Sequence, residues 1–274
     1  MRTKKLVIKM KRKFEETSNV SYTAPSESIN LKVLLEAEKR IVKYTNGDNV
    51  MTSEFTHMGS TYYLKEFKTI IGRLEIKMES DIYKFVKSLD EEASSLFPEC
   101  HIFPGKIVTK AVKGVPSKSL PSEIVVSEKF KNELSRVFDI FHRIGFAHGD
   151  FHGNNFYYDE ESGKIHVIDL GMSQVSNDID TWSNTWFSMV PKEFEDSSDD
   201  RIFEFFKRLD IVNGWYVHSK VLCITKGLNN LELYFRHLSV FINSKYGWKI
   251  HFDIKGVNFH ECIVNAVVQS FDNV

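Results

Sequence analysis

Two polar segments on either side of a short apolar stretch constrain the fold of this chain more than any other feature. The first has the sequence His-Gly-Asp-Phe-His-Gly-Asn-Asn (residues 148–155), and the second has the sequence Ile-Asp-Leu-Gly (residues 168–171). The residues between them read as two short strands joined at residues 160–163, which predicts a hairpin. Because a hairpin brings its two ends together, we expect the two polar segments to meet.

The polar side chains of these segments are of the types that phosphoryl transfer requires. That reaction needs a carboxylate that accepts the proton of the attacking hydroxyl, oxygen ligands for Mg2+, and a cation on the remaining phosphates. Asp150 and Asn155 can face one pocket from a single loop, and Asp169 lies across the hairpin, 14 residues after Asn155. We expect Gly171 to permit the backbone excursion that follows a metal-binding Asp.

The two segments together resemble the catalytic loop and the metal-binding element of the protein-kinase-like superfamily. The resemblance covers roughly residues 30 to 210 and implies an α+β, bilobal protein-kinase-like fold that uses ATP and Mg2+. It also implies that Asp150 is the catalytic base, that Asn155 is a Mg2+ ligand, and that Asp169 is the main Mg2+ ligand. The last 65 or so residues match no motif that we can name.

The same resemblance requires a lysine and a glutamate in the first lobe. Lys65, on the strand-like stretch from Thr61 to Phe67, fits the lysine that contacts the phosphates. Glu79 fits the glutamate that pairs with it, because apolar residues follow at the spacing of a buried helix face. Glu75 is the competitor, but the residue four positions after it is Glu79, which makes a poor core position.

We expect the nucleotide to lie between two lobes, although the chain has no G-x-G-x-x-G loop. Gly47, in the turn Asn46-Gly47-Asp48, is the position that would cover the phosphates. A hinge from Thr109 to Val112 would offer backbone groups to adenine, and the apolar residues Leu64 and Val108 would line the pocket.

Three positions bear on how the site is regulated and organised, and two of them leave alternatives open. Gly149 stands where many protein kinases have an Arg that pairs with a phosphorylated activation loop, so activation by such phosphorylation is not expected. His152 gives a loop of the form HGDxHxxN, which also resembles aminoglycoside and choline phosphotransferases. His152 either contacts the γ-phosphate or organises the loop through hydrogen bonds, and Asp200 either anchors the catalytic-loop backbone or simply caps a helix.

The remaining pattern predicts a basic and polar arm, a β-rich lobe and a mainly helical lobe. We place the arm at residues 1–28, the first lobe at 29–113 and the second at 114–274. Apolar spacing predicts helices over Leu74–Leu89 and Ser127–Ile144. We also predict strands between Val33 and Phe67, one strand over His101–Thr109, and helices at Ile202–Leu209 and Leu231–Ile242.

Composition excludes several classes of protein and partner. The chain has 274 residues, 36 basic and 37 acidic, so its net charge of -1 gives no overall attraction to nucleic acid or anionic membranes. No apolar run reaches the length of a signal peptide or a transmembrane helix. Three widely spaced cysteines favour free thiols in a reducing, intracellular compartment, cytoplasmic unless the basic stretch Lys9–Lys13 acts in nuclear import or the protein is delivered into a host cell.

Three functions agree with these features, two of them kinases and the third from a different class. The first is an atypical serine/threonine protein kinase that acts as a monomer on a protein hydroxyl. The second is a kinase for a small hydroxylated molecule such as an aminoglycoside, choline or a sugar. The third is a pseudokinase that serves as an interaction module, which the joint presence of Lys65, Asp150, Asn155 and Asp169 argues against.

Overall fold

The computed structural model describes residues 29–45, 49–176, 190–194, 197–254 and 258–271. The predicted arm at residues 1–28 and Gly47 lie outside the described residues. The described residues up to Ala37 and those from Glu38 onward belong to two separate compact units. The described part of the first unit holds helix α1 (Leu31–Glu36), where strands were predicted. Its helical start is explained by Asn30, whose Oδ1 accepts the third N–H of the turn at 3.1 Å.

A five-stranded antiparallel sheet opens the second unit. Its strands are β1 (Arg40–Thr45), β2 (Val50–His57), β3 (Ser60–Phe67), β4 (Cys100–Phe103) and β5 (Lys106–Lys110), in the order β1-β2-β3-β5-β4. The single strand predicted over His101–Thr109 is wrong, because Pro104 and Gly105 form a turn that divides it into two strands. Gly105 has a φ of +70°, a conformation that glycine adopts without steric cost.

Helix α2 (Ile70–Lys87) follows β3 and packs against the sheet. It begins earlier than predicted because the Thr69 hydroxyl accepts the Gly72 N–H at 3.1 Å and caps the first turn. The short helix α3 (Glu91–Ser94) follows. One face of α2 is buried, as its apolar spacing predicts, and its buried members include Ile76, Glu79, Ile82, Tyr83 and Val86.

The rest of the described chain is mainly helical. Its helices are α4 (Ser122–Val125), α5 (Glu128–Arg143), α6 (Asp199–Thr225), α7 (Leu231–Tyr246) and α8 (Phe259–Gln269). Its short strands are β6 (Val115–Pro116), β7 (Phe146–Ala147), β8 (Phe156–Asp159), β9 (Lys164–Val167) and β10 (Gln174–Val175). The predicted α+β class, with a β-rich part before a helical part, is confirmed. The predicted hairpin is also present, as β8 paired with β9.

Aromatic rings fix the first polar segment to the core. Phe151, in the middle of that segment, is fully buried, and its ring stacks on Phe156 at 4.6 Å between centroids. Phe138 and Phe141 of helix α5 contact the same ring edge-on, at 5.3 and 5.6 Å. Such pairs bury large apolar areas in a defined geometry, so the backbone on both sides of Phe151 is held in place.

None of the helices in the described ranges is both long and apolar enough to cross a membrane. The three cysteines, Cys100, Cys223 and Cys262, are free and buried.

Candidate active site

Lys65 joins the sheet to helix α2 and to the second polar segment. Its Nζ lies 2.7 Å from Oε1 of Glu79 and 2.6 Å from Oδ1 of Asp169. Thus the structure brings together one lysine and two carboxylates that are far apart in the sequence. Glu79 rather than the competitor Glu75 is the partner of Lys65. The pair is well shielded, since Glu79 is only 5% exposed.

The charges around Lys65 keep it protonated. Burial alone would lower the pKa of Lys65, but the carboxylates of Asp169 and Glu79 outweigh burial and raise it above its ordinary value. The neighbouring Tyr83 is buried, and burial together with the charge of Glu79 raises its pKa well above the usual range. Burial likewise raises the pKa of the Cys100 thiol to about 12. Neither Tyr83 nor Cys100 therefore adds a charge to this cluster at neutral pH.

Asp169 has an unusual backbone conformation. Its φ is +61°, in the left-handed region that non-glycine residues rarely occupy, and a short 3-10 turn (Leu170–Met172) follows directly. The excursion expected at Gly171 is therefore found at Asp169 itself. Gly171 instead lies beside the cluster, where an added Cβ would sit 3.6 Å from Oε2 of Glu79, which is ordinary contact.

Asp150 and Asn155 face each other across the first polar segment. The Asn155 side-chain amide donates from Nδ2 to the backbone oxygen of Asp150 at 2.9 Å and to its Oδ2 at 3.0 Å. The Asp150 side chain is 47% exposed, so it is accessible to a substrate. Because the amide nitrogen of Asn155 points at Asp150, its carbonyl oxygen is directed elsewhere and can serve as a ligand.

His152 lies next to Asp150. Its Nε2 is 3.5 Å from Oδ2 of Asp150, and its Nδ1 accepts the N–H of Asn154 at 3.1 Å. The nearby carboxylate of Asp150 raises the pKa of His152. Of the two roles left open by the sequence, the geometry favours hydrogen bonding inside the loop.

The side chain of His148 contacts the backbone of both polar segments. Its Nε2 lies 2.8 Å from the backbone oxygen of Ile168, and its Nδ1 accepts the Asp150 N–H at 3.3 Å. The ring is fully buried, and burial lowers the pKa of His148. Since Ile168 precedes Asp169, this neutral imidazole fixes Asp150 and Asp169 relative to one another.

A backbone hydrogen bond joins the segments at a second point. The Ile168 N–H donates to the backbone oxygen of Asn155 at 2.9 Å. The predicted ligands Asn155 and Asp169 are therefore adjacent across the two segments. The meeting of the two ends of the hairpin, which the sequence predicts, is seen in the structure.

Asp210, on helix α6, holds the backbone of the first polar segment. Its carboxylate accepts the N–H groups of His148 at 2.7 Å, Gly149 at 3.1 and 3.2 Å, and Phe151 at 3.3 Å. Burial raises the pKa of Asp210 to about 7, and these hydrogen bonds act in the opposite direction. Asp200, for which the sequence left open either this role or a helix cap, does not fill it. It is exposed in the first turn of α6, where the helix dipole favours a carboxylate.

Strand register decides which residues face the candidate nucleotide pocket. Lys65 is opposite Ile107, and Leu64 is opposite Val108. Because side chains alternate between the faces of a sheet, Leu64 and Val108 point away from the side on which Lys65 meets Asp169. Both are completely buried. Their predicted place in the pocket lining is therefore wrong.

Tyr63 and Thr109 occupy the pocket side instead. They are opposite each other in the sheet, and Tyr63 is two positions before Lys65 on the same face. On the neighbouring strand β2, Glu54 is the residue opposite Tyr63. Burial together with the Glu54 carboxylate raises the pKa of Tyr63. Thr109 lies within β5 and is paired on both sides, with Tyr63 and Cys100, whereas Val112 follows the end of β5. The predicted hinge from Thr109 to Val112 stays a prediction.

The stretch after Val112 is held against the first polar segment. Gly114 has a φ of +98°, and a Cβ there would lie 2.3 Å from the backbone oxygen of Tyr158. Farther on, the Lys118 N–H donates to the backbone oxygen of Gly153 at 3.0 Å. The connection between the sheet and the helical part is thus tied to the same loop that carries Asp150.

The candidate metal ligands are hard oxygen donors. Among the described residues, no three His, Cys, Asp or Glu side chains converge as a metal site of their own. Mg2+, however, usually binds through one or two carboxylates together with substrate phosphates and water. Asp169 and the carbonyl oxygen of Asn155 form a donor set of that kind, so the residues present fit Mg2+ bound together with a nucleotide.

Comparisons with known proteins were made at the level of sequence and of structure. No family model matches the chain, and no curated protein matches it. The chain is similar to the solved structure of the kinase PK-1 of Cydia pomonella granulovirus, with 14% identity and a TM-score of 0.44. The likeness covers 69% of this chain and 72% of that one.

Two residues of the site escaped the sequence analysis. Asp210 lies within the long helix α6. The signal available in the sequence was an acidic residue between apolar neighbours, because such a residue is rarely buried without a partner. Tyr63 followed directly from Lys65, because residues two apart on a strand share a face. Gly47 is not among the described residues, so its predicted role stays a prediction.

Proposed function

We propose that the chain is an ATP- and Mg2+-dependent phosphotransferase, and that it acts as an atypical serine/threonine protein kinase. The observation that carries the proposal is the arrangement of Lys65, Glu79 and Asp169 next to the loop of Asp150 and Asn155. A shielded ammonium group, a half-exposed carboxylate, and carboxylate and amide oxygens that could bind a metal support the proposal. These are the three requirements of phosphoryl transfer.

Each of these residues has one role in the proposed reaction. Asp150 orients the acceptor hydroxyl and takes its proton as the hydroxyl oxygen bonds to the γ-phosphorus. The bond from that phosphorus to the bridging oxygen breaks, and its electrons leave with ADP. Lys65, positioned by Glu79, contacts the non-transferred phosphates. Asp169 and Asn155 would hold Mg2+, which neutralises phosphate charge when it is bound.

The surroundings of the site support an active site that is assembled without prior phosphorylation of the chain. Gly149 replaces the arginine that would bind a phosphorylated activation loop, and the Lys65–Glu79 pair is already formed. In protein kinases, phosphorylation of that loop controls this pairing. We therefore propose that the enzyme does not depend on such phosphorylation.

A second candidate function rests on His152. A histidine two residues after the catalytic Asp resembles the loop of aminoglycoside and choline phosphotransferases, and here it contacts that Asp at 3.5 Å. This observation favours a small hydroxylated acceptor over a protein. The two functions share the ATP and Mg2+ chemistry and differ only in the acceptor.

The decisive experiment measures transfer of label from γ-labelled ATP in the presence and absence of Mg2+. Acceptors are generic protein substrates, the chain itself, and a panel of aminoglycosides, choline analogues and sugars. Wild type is compared with Asp169→Asn, Asp150→Asn and the control Asp200→Asn, whose exposed side chain lies at the start of α6.

Transfer to protein serine or threonine that is lost in Asp169→Asn and retained in Asp200→Asn supports the protein kinase. Transfer only to a small molecule replaces it with the second candidate. If wild type transfers no label and ATP does not shift its thermal unfolding, both proposals fail and an interaction module is favoured.

A further inference from the structure

The two ring nitrogens of His152 have different partners. Nδ1 accepts the backbone N–H of Asn154 at 3.1 Å, so in the neutral ring this nitrogen carries no proton. The proton of the neutral ring is then on Nε2, which lies 3.5 Å from Oδ2 of Asp150. His152 is therefore a donor toward the proposed catalytic base, in whichever protonation state it is found.

Two side-chain nitrogens lie near the same oxygen of Asp150, one within hydrogen-bond distance and one at 3.5 Å. Besides His152, the amide of Asn155 donates to Oδ2 at 3.0 Å, and it also holds the backbone oxygen of Asp150 at 2.9 Å. Within the described part of the chain, these are the side-chain donors to this carboxylate, and neither is directed at Oδ1. The two oxygens of Asp150 are thus not equivalent.

This asymmetry matters because the Asp150 side chain is 47% exposed. A half-exposed carboxylate without fixed donors rotates about its last torsion angle, which is broad in Asp. The proton acceptor in the reaction must instead point one oxygen at the substrate hydroxyl, and a small misplacement lowers the rate substantially.

We propose that His152 is a positioning residue that acts with Asn155 to hold Oδ2 of Asp150, so that Oδ1 is the oxygen that accepts the hydroxyl proton. The inference rests on the proposed function and adds to it the residue that orients the base. The distance of 3.5 Å is long for a hydrogen bond, but catalytic hydrogen bonds of free enzymes commonly shorten when substrate binds.

The competing role for His152 is direct contact with the γ-phosphate. Such a contact needs Nε2, because Nδ1 is occupied by the Asn154 N–H. Nε2 is directed at Asp150, however, and the positioning role uses both nitrogens as the structure has them.

Two substitutions separate the contacts of the ring. In His152→Gln, the side-chain amide nitrogen reaches the position of Nε2 and keeps a donor toward Asp150. In His152→Asn, the shorter side chain places its oxygen near the position of Nδ1, which keeps the acceptor for Asn154 and removes the donor. The pair is matched in polarity, and the site is 44% exposed, so both variants are expected to fold.

The measurement is kcat and KM for ATP and for the acceptor, with urea unfolding of each variant as a check on folding. We expect His152→Gln to keep kcat within about threefold of wild type, and His152→Asn to lose kcat by about tenfold or more. KM for ATP should be unchanged in both, because the residue acts through Asp150 and not on the nucleotide.

Other results overturn the inference. A loss of kcat in His152→Gln with retention in His152→Asn would assign the residue to holding the loop through Asn154. A rise of KM for ATP in both variants would assign it to the phosphate, and wild-type kcat in both would leave it no role in the reaction. An inactive wild type would instead refute the proposed function, which keeps the two failures distinct.

Discussion

The carboxylate of Asp210 accepts the backbone N–H of Gly149 on both of its oxygens, at 3.1 and 3.2 Å. Asp210 thereby anchors the backbone next to Asp150, although it lies on a helix some 60 positions later in the chain. The anchor is fully buried, so its removal leaves N–H groups without a partner or access to water.

Asp210→Ala should therefore destabilise the fold and abolish turnover. The lost acceptor leaves the N–H groups of His148, Gly149 and Phe151 unpaired, at a cost of about 3 kcal/mol or more in the free energy of unfolding. Urea unfolding measures this cost. The control is Asp200→Ala on the same helix, which should change the free energy by less than about 1 kcal/mol because the residue is exposed. Equal costs for the two substitutions would contradict the anchor.

The pH dependence of stability should also report Asp210. Its pKa is raised by burial to about 7 from 3.8, so the folded state binds a proton that the unfolded state releases at lower pH. The stabilisation from this proton is complete below about pH 4 and is lost as the pH rises to about 7. Wild type should therefore lose stability relative to Asp210→Asn over that interval. A difference between the two proteins that is constant from pH 4 to 7, in urea unfolding, would show that Asp210 does not titrate there.

The comparison of Asp200 with Asp210 shows what the sequence could not give. Both are acidic residues of one helix, and which turn of that helix passes the loop depends on the helix–helix packing, which no local pattern encodes. The meeting of the two polar segments was predictable for the opposite reason. Asp150 and Asn155 are close in the chain, and the hairpin that returns to Asp169 is a local structure with its own sequence signals.

The misplacement of Leu64 and Val108 has a different cause. Side chains alternate between the two faces of a strand, so the orientation of Lys65 alone determines which face each residue of β3 is on. This alternation was a better guide to the pocket lining than the apolar character of Leu64 and Val108. The division of residues 101–109 into two strands was likewise available from Pro104-Gly105, which is a strong turn signal.

Lys65→Met should remove activity and destabilise the fold. Without the ammonium group, Glu79 and Asp169 face each other as like charges, and Glu79 is almost completely buried. Removing one partner of such a pair costs about 3 kcal/mol or more. The control is Lys68→Met, three positions on and exposed, which should stay within about 0.5 kcal/mol of wild type. Full phosphotransfer by Lys65→Met would move the phosphate contact to another cation.

Tyr63 and Leu64 should respond to substitution in opposite ways. Tyr63→Ala removes a ring from the pocket side of the sheet and should weaken ATP binding by about three- to tenfold, whereas Tyr63→Phe keeps the ring and should bind normally. Leu64→Ala leaves a cavity on the other face, which should cost about 2–5 kcal/mol of stability without weakening ATP binding by the folded protein. Nucleotide titration and thermal unfolding measure both quantities. Weaker ATP binding in Leu64→Ala alone would restore the original prediction for the pocket.

Gly114 and Gly59 form a matched pair for testing the connection between the sheet and the helical part. Both have a positive φ, +98° and +75°, so alanine is strained at either position. Around Gly59 an added Cβ meets nothing within 4 Å, and Gly59→Ala should cost about 1 kcal/mol from backbone strain alone. At Gly114 the Cβ would also meet the backbone oxygen of Tyr158 at 2.3 Å, so Gly114→Ala should cost about 3 kcal/mol or more. Because Val115 pairs with Tyr158, hydrogen exchange in β8 should accelerate in Gly114→Ala only. Equal unfolding free energies for the two variants would mean that the close approach at Tyr158 is not needed to hold the connection in place.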